Sequence, residues 1–322
     1  MQFFSKLHNS PDATLNMFVH IPKTAGTSFR ASLEKSESVV CDYGKGKEHT
    51  SPVVADYIYE KNDIYGLKEQ ISCGKTWLCG HMHLNKYIGI VAPQNIVTFV
   101  REPLARVVSH YNHELRWGKN TDITLKEFLQ SNRAKNSQQR FLEGLPLSLV
   151  GFVGITEQYP ESLSLLHNEM SLKIEEVKFN ENTQKASNID DFDPALLSLI
   201  REQNALDQQL YELAKSIQKE RARLAREKLP WTYVHAELSN NKKLQGVAYK
   251  RQNQDAVELE LEVNNKVIAT FKANELTALF PEVRFPRDRF VGFSYHFTQE
   301  LEESDVVKIR ARDTEQEYLI SF

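Results

Sequence analysis

Cysteine is scarce in this chain of 322 residues, which contains only Cys41, Cys73 and Cys79. An odd number of cysteines, with no Cys-x-x-Cys pair and no histidines at zinc-ligand spacing, does not indicate a disulfide framework or a structural zinc site. No stretch approaches the roughly 20 apolar residues of a membrane helix. Met1–Asn16 also shows no apolar targeting segment. We therefore expect a cytoplasmic protein in a reducing compartment, without a membrane span.

An excess of charge of either sign is also missing, because 40 basic side chains stand against 43 acidic ones and the net charge is −3. Such a balance gives no general electrostatic reason to bind nucleic acid or an anionic membrane. The apolar share of 41% and the charged share of 26% exclude the composition of a disordered chain. We expect a globular protein that binds no nucleic acid and holds any anion at a local site.

Short apolar runs alternate with amphipathic segments over the first two-thirds of the chain. This alternation is typical of βαβ units and predicts an α/β fold, with a parallel sheet flanked by helices in a P-loop-like arrangement. The predicted strands are Met17–Ile21, Trp77–Gly80, Ile96–Val100 and Phe152–Ile155. The predicted helices are Thr24–Lys35, Ser51–Lys61, Pro103–Trp117, Leu125–Leu129, Gln138–Leu142, Glu157–Glu169 and Pro194–Glu227, the last with a break near Asn204.

The pattern changes at Leu229-Pro230-Trp231, after which β-branched and alternating runs predominate. These runs predict a C-terminal antiparallel β-sandwich over residues 229–322, following an α/β domain over residues 1–228. Packing on the first domain, sugar binding, partner docking and homo-oligomer formation all remain open for this module. The predicted strands are Leu244–Tyr249, Val257–Val263, Lys266–Phe271, Phe290–Phe297, Val306–Ala311 and Tyr318–Phe322.

The most informative motif is HIPKTAGTS at residues 20–28, where a buried strand turns into a helix. Backbone N–H groups at a helix N-terminus attract anions, and Lys23 adds a mobile positive charge. Gly26 allows close approach of the backbone. Ordinary capping by Ser or Thr is the alternative. The lysine precedes the glycine and GxxxxGK[ST] is absent, so a nucleotide triphosphatase or other phosphotransferase is disfavoured.

A second basic motif, VREPLARVVS, occupies residues 100–109 at the end of another predicted strand. Arg101 follows the strand, and Ser109 lies two helical turns further on. A guanidinium group presents two parallel donors that suit a phosphate dianion. Arg106 is interpreted as an i,i+4 partner of Glu102. Two phosphate sites at the carboxyl ends of neighbouring parallel strands match a bisphosphorylated nucleotide.

Histidine is the natural general base near neutral pH, and the best candidate is His81 in LCGHMH, residues 78–83. His83 is the rival base. A metal site at this paired histidine is disfavoured, because no Cys or carboxylate ligand lies nearby in the sequence. His20 precedes the phosphate turn and is interpreted as structural.

Both motifs resemble those of the carbohydrate sulfotransferase family that includes heparan sulfate 2-O-sulfotransferase and its bacterial relatives. HIPKTAGTS is similar to the family's 5′-phosphosulfate loop, and V-R-[DE]-P-x-x-R-x-x-S is similar to its 3′-phosphate site. The resemblance covers roughly residues 16–220. It implies 3′-phosphoadenosine 5′-phosphosulfate (PAPS) as donor and adenosine 3′,5′-bisphosphate (PAP) as product. It also implies sulfuryl transfer to a hydroxyl of a carbohydrate, whether an oligosaccharide, a polysaccharide or a glycolipid.

The same resemblance implies roles for individual residues. Lys23 bridges the sulfate and the leaving phosphate oxygen, and Gly80-His81 matches the element that carries the family's base. Arg101 and Ser109 hold the 3′-phosphate. His83 and Arg140 are candidate acceptor contacts. The implied contacts to the 5′-phosphate come from Thr24, Ala25, Gly26, Thr27 and Ser28.

Three further segments resemble family elements without assigning roles: N-x-Q-x-R at 136–140, G-I-T-E at 154–157 and Lys178-Phe179-Asn180. Glu157 is expected at a helix N-terminus, and Arg140 to pair with it or contact the acceptor. The competing hypothesis is a nucleotide- or glycan-binding protein that keeps the fold without the chemistry. The presence of Lys23, His81, Arg101 and Ser109 favours an active enzyme.

Overall fold

A computed structural model describes residues 14–72, 74–118, 122–172, 174, 189–251 and 254–320, and the structural findings concern these residues. The strands of the first part are β1 (Thr14–Val19), β2 (Ser38–Asp42), β3 (Lys75–Gly80), β4 (Ile96–Val100) and β5 (Phe152–Ile155). The helices are α1 (Gly26–Leu33), α2 (Pro52–Val54, continued by a π-helical turn at Ala55–Glu60), α3 (Ile64–Ile71), α4 (Pro103–Trp117), α5 (Leu125–Phe128), α6 (Ser137–Phe141), α7 (Tyr159–Met170), α8 (Pro194–Gln203) and α9 (Ala205–Glu227).

The five strands form one parallel sheet in the order β2-β3-β1-β4-β5. This confirms the α/β fold with a parallel sheet, while β2 and α3 were not predicted. In the register, Val19 of β1 lies beside both Gly80 of β3 and Thr98 of β4. The carboxyl ends of neighbouring strands therefore meet at one edge of the sheet.

Strand β1 is followed in the chain by β2, on one side of the sheet, whereas β4 is followed by β5, on the other side. The connections after β1 and β4 therefore lead to opposite sides of the sheet, which makes the crevice outside the carboxyl ends of these two strands the topological switch point. In open α/β sheets, ligands bind at such a point. The topology therefore places the ends of the HIPKTAGTS and VREPLARVVS strands side by side.

Local sequence explains why α4 begins where it does. Pro103 occupies the first turn, where its missing N–H costs nothing. The Glu102 carboxylate accepts hydrogen bonds from the N–H groups of Leu104 at 3.1 Å and Ala105 at 2.6 Å. Strand β4 before it is buried at all five positions. The end of this strand and the start of the helix are therefore well fixed, and together they fix the backbone of Arg101, which lies between them.

The C-terminal part contains two four-stranded antiparallel sheets, in the orders β10-β11-β7-β6 and β13-β12-β8-β9. Both sheets contribute to one hydrophobic cluster, which contains Phe293 of the first sheet and Ile309 of the second. The predicted antiparallel β-structure is confirmed, although β6 and β10 were not predicted. The strands are β6 (Thr232–Ser239), β7 (Lys243–Lys250), β8 (Glu258–Val263), β9 (Lys266–Lys272), β10 (Glu275–Leu276), β11 (Phe290–His296), β12 (Val307–Ala311) and β13 (Gln316–Ile320).

The two parts are joined by a continuous core, because one hydrophobic cluster contains both Val150 and Tyr249. The Tyr249 hydroxyl donates to the Leu149 carbonyl at 3.1 Å, and that of Tyr233 donates to the Gly151 carbonyl at 3.0 Å. The expected boundary at 228/229 falls between α9 and β6, and the division into two domains stays a prediction. Of the helices in the described ranges, none has the length and apolar character that a bilayer crossing requires.

Candidate functional site

A cavity of about 1510 Å³ opens at the carboxyl edge of the parallel sheet. Over the described part of the chain its wall contains no Asp or Glu. Thr24 is the one residue of the expected site that does not line it. The cavity brings together Lys23, Ala25, Gly26, Thr27, Ser28, His81, His83, Arg101, Ser109 and Arg140.

The turn after β1 has an unusual backbone. Lys23 and Ala25 lie in the left-handed region, with φ of 72° and 65°. Ala25 is the N-cap of α1, and no side chain accepts a hydrogen bond there. The alternative of an ordinary Ser or Thr cap is therefore not what the structure contains. The first N–H groups of a helix lack intrahelical partners, so an anion in this cavity would supply the missing acceptors.

The threonines of the turn have different surroundings. The Thr24 hydroxyl is fully buried and donates to the Ile21 carbonyl at 2.9 Å, so it stabilises the turn from inside. Thr27, in contrast, is exposed on the cavity wall. Gly26 is required by a neighbouring side chain, since a Cβ there would lie 2.0 Å from Cδ2 of His20. Because Gly26 has no side chain, the His20 ring can pack against it and a ligand can approach its backbone closely.

The two basic motifs are in direct contact. The Arg101 guanidinium donates a hydrogen bond to the Lys23 carbonyl at 3.3 Å. Its Nε is buried and has no hydrogen-bond partner. Burial, together with the positive charges of Arg101 and Arg116, lowers the pKa of Lys23. Crowded cations are costly without counter-charge, so this site is suited to a ligand with several negative charges.

Sequence reasoning assigned no role to Gln138, which the structure places beneath Arg101. Its side chain is fully buried and makes two hydrogen bonds to the Arg101 backbone, accepting from N–H and donating to C=O, both at 2.8 Å. Gln138 is itself positioned by Asp207, which accepts from its backbone N–H at 3.1 Å. The N-x-Q-x-R segment therefore contributes to the second basic site by fixing the backbone that carries Arg101.

Replacing Gln138 with leucine is expected to leave the N–H and C=O of Arg101 unpaired inside the protein. An unpaired buried polar group costs about 1–3 kcal/mol, so we expect urea denaturation to show a loss of at least that size. The exposed neighbour Gln139 provides the matched control, and Gln139→Leu is expected to change stability little. Equal losses in the two variants would contradict the interpretation.

The interpretation of Arg106 as a partner of Glu102 was wrong. Arg106 is fully buried, and its Nε lies 3.9 Å from an Asp207 carboxylate oxygen of α9. Glu102 instead caps its own helix. Burial lowers the pKa of Arg106 to about 10, so it remains charged at neutral pH. The reason is tertiary: α9 supplies a buried carboxylate that no local spacing in α4 reveals.

Glu157 lies in the 3₁₀ turn Thr156–Gln158 that leads into α7, as expected, and it also has tertiary partners. It accepts a hydrogen bond from the N–H of Glu102 at 3.0 Å and another from the Tyr211 hydroxyl at 3.1 Å, and it lies 3.9 Å from Nε of Arg101. Arg140 donates instead to the Asn132 carbonyl and lines the cavity. Glu157 therefore supports the Arg101 turn, and Arg140 is placed where it can meet a ligand.

His81 follows β3 and is exposed to the cavity. The preceding Gly80 is required by strand packing, because a Cβ there would lie 1.8 Å from the Asp42 carbonyl oxygen of β2. Ring centroids of His81 lie 4.5 Å from His20 and 4.8 Å from Tyr43. Although the ring is open to the cavity, the surrounding walls desolvate it and, with the charge of Arg30, lower the pKa of His81 to about 4. The imidazole is thus neutral at pH 7 and able to accept a proton.

His83 has a different environment. Its Nδ1 donates to the Arg140 carbonyl at 2.8 Å, because a carbonyl oxygen can only accept. The ring stacks on Phe141 with centroids 4.8 Å apart. These contacts fix His83 against α6, the helix that carries Arg140.

Sequence reasoning also missed the polar support behind the phosphate turn. The Tyr43 hydroxyl lies 3.1 Å from Nδ1 of His20 and accepts a hydrogen bond from Arg30 at 3.1 Å. A second group, formed by α4 residues His113, Arg116 and Trp117, extends the cavity wall beyond Ser109. No group of three or more His, Cys, Asp or Glu side chains suited to a metal occurs among the residues described.

The predicted family element Lys178-Phe179-Asn180 lies outside the described residues.

Comparison with known proteins gives little further information. No protein-family model matches the chain, and no curated protein sequence matches it. Among solved structures, mouse sulfotransferase SULT7A1 complexed with PAP is similar, at 11% identity and a TM-score of 0.42, over 66% of this chain and 89% of that one.

Proposed function

We propose that the chain is a sulfotransferase that moves a sulfuryl group from PAPS to a hydroxyl of a carbohydrate. The observation that carries the proposal is the meeting of two basic motifs in one cavity, where Arg101 contacts the Lys23 carbonyl at 3.3 Å. Each motif follows a parallel strand and begins a helix. A ligand with anionic groups at both ends of a nucleoside matches this pair of sites, and PAPS has that form.

The residues present fit such a donor. The uncapped N-terminus of α1 offers N–H groups to the 5′-phosphosulfate. The Arg101 guanidinium lines the cavity together with Ser109, and both are available there to the 3′-phosphate. The absence of carboxylates from the described cavity wall removes the repulsion that the donor's charges would otherwise meet.

In this mechanism the acceptor hydroxyl attacks sulfur in line with the bond to the leaving phosphate oxygen. His81, neutral at pH 7, takes the hydroxyl proton as the new S–O bond forms. Lys23 neutralises the negative charge that develops on the leaving oxygen as the old S–O bond breaks. His83 and Arg140, on the α6 side of the cavity, contact the acceptor.

Transfer of labelled sulfate from PAPS to a panel of glycans, amines and phenols, followed by mass spectrometry, tests the proposal. We expect a product heavier by one sulfate group, with PAP released in equal amount. Binding of PAP without transfer to any glycan, amine or phenol in the panel would indicate the competing hypothesis, a binding protein on this fold. The panel also distinguishes carbohydrate from other acceptors.

Replacement of Arg101 with alanine is expected to weaken PAP binding by about 10- to 100-fold, because hydrogen bonds to charged groups are worth about 1.5–3 kcal/mol. The affinity for AMP, which has no 3′-phosphate, is expected to change little. Calorimetry with both ligands measures the ratio of the PAP affinity to the AMP affinity in the variant and in the unaltered protein. An equal loss for PAP and AMP would place the role of Arg101 elsewhere than at the 3′-phosphate.

A further inference from the structure

His20, the histidine before the phosphate turn, contacts Tyr43 through one of its two ring nitrogens. Nδ1 of His20 lies 3.1 Å from the Tyr43 hydroxyl, and that hydroxyl also accepts a hydrogen bond from Arg30. A guanidinium can only donate, so the tyrosine oxygen serves as acceptor there. Its single proton then has one acceptor among the described residues, which is Nδ1 of His20.

With Arg30 donating to the Tyr43 oxygen, the Tyr43 proton is available for donation to Nδ1 of His20. If Nδ1 accepts the tyrosine proton, the neutral ring carries its own proton on Nε2. Burial, followed by the charges of His81, Arg30 and Lys23, keeps the pKa of His20 well below its ordinary value, so the ring stays neutral. His20 therefore offers one N–H donor on the side away from Tyr43.

The Nε2 edge lies against the start of α1. A Cβ built on Gly26 would be 2.4 Å from Nε2 of His20, and both residues line the cavity. No described residue accepts a hydrogen bond from Nε2. The N–H of His20 is thus placed beside the backbone N–H groups that begin the helix, without an acceptor of its own.

We propose that His20 binds the phosphosulfate end of the donor through Nε2–H, and that the Arg30–Tyr43 pair holds it in the tautomer that can do so. This inference rests on the proposed function, since it assumes that the 5′ end of PAPS occupies the α1 N-terminus. It changes the interpretation of His20 from a structural residue to a ligand-binding one. It also explains why the residue at position 26 must be glycine.

Calorimetry with PAP and with adenosine 3′-phosphate, which lacks the 5′ group, tests the inference. His20→Phe keeps a ring of similar shape but removes the donor, and we expect PAP affinity to fall about 10- to 100-fold with adenosine 3′-phosphate unchanged. His20→Gln, which retains an N–H donor, should recover part of the loss. Equal weakening of both ligands, or no weakening of either, would overturn the inference.

Nitrogen-15 NMR of the histidine rings provides a test that does not depend on a folded variant. We expect His20 in the unaltered protein to be protonated at Nε2 and not at Nδ1, with the Nε2–H signal shifting when PAP is added. The opposite tautomer, or no shift at saturating PAP, would overturn the inference. If the unaltered protein binds PAP and adenosine 3′-phosphate equally, the proposed function itself fails, which separates the two outcomes.

Discussion

Replacement of Lys23 with alanine is expected to lower sulfuryl transfer by about 10²–10³-fold, because removal of one preorganised group that stabilises transition-state charge has effects of this size. Lys23 lies in the turn between β1 and α1, and its pKa is lowered by burial and by Arg101 and Arg116. It is therefore a partly desolvated charge whose interactions are stronger than those of a surface lysine. Because the charge on the leaving oxygen develops only in the transition state, kcat and kcat/KM should fall together.

Two controls accompany this measurement. Lys47→Ala removes an exposed lysine that does not line the cavity, and it is expected to leave turnover unchanged. Lys23→Arg keeps the charge but changes its shape, and it should recover activity only in part. A Lys23→Ala variant whose KM rises while kcat stays constant would contradict a role in the transition state.

Removal of the imidazole of His81 is expected to reduce transfer by about 10²–10⁴-fold, the range of a positioned general base. His83→Gln is the matched control on the same segment and should cost much less, because the role proposed for His83 is to contact the acceptor and not to take its proton. The reverse pattern, a large loss for His83 with normal turnover in the His81 variant, would make His83 the base.

The pH profile offers an independent test of the same residue. A general base acts when it is unprotonated, and the pKa of His81 is lowered to about 4 in the free protein. The acid limb of kcat/KM for PAPS should therefore lie well below the ordinary histidine pKa. Bound donor places negative charge nearby and favours the protonated form, so the limb of kcat should lie at higher pH. Coincident limbs near 6.5 in both profiles would contradict this assignment.

Much of the α/β part could be predicted because its elements carry their own signals. The strand Ile96–Val100 is an apolar run and α4 begins at a proline, so both were predicted with their observed bounds. The break at Asn204 between α8 and α9 was also predicted. Strand β2 was missed because only Cys41 and Asp42 of its five residues are buried, which leaves no clear hydrophobic pattern.

The helix predicted from Thr24 actually begins at Gly26. Lys23 and Ala25 adopt positive φ, and neither residue type signals a left-handed conformation in a sequence, as glycine or asparagine would. The rule that residues with positive φ are usually glycine or asparagine therefore fails at this turn, which the proposed function places at the 5′-phosphosulfate. Strained backbone of this kind is concentrated at ligand sites, where surrounding structure maintains it.

The supporting residues of the site could not be assigned from sequence because their partners are distant. Gln138 contacts the backbone of Arg101 from 37 positions away, and His20 meets Tyr43 across 23 positions. Single-sequence patterns record which residue types recur at short spacing, and they contain no information on such pairings. Lys23, His81, His83, Arg101 and Arg140 were identified from the sequence, whereas the cavity residues His113, Arg116 and Arg133 and the residues that position the site were not.

The most direct test is calorimetric titration of the unaltered protein with PAP and with AMP under the same salt conditions. Two anion sites that bind opposite ends of one nucleotide predict a clear preference for PAP, and the Arg101→Ala variant should lose it. Equal affinity for PAP and AMP would contradict the two-site interpretation, and with it the assignment of PAPS as the donor.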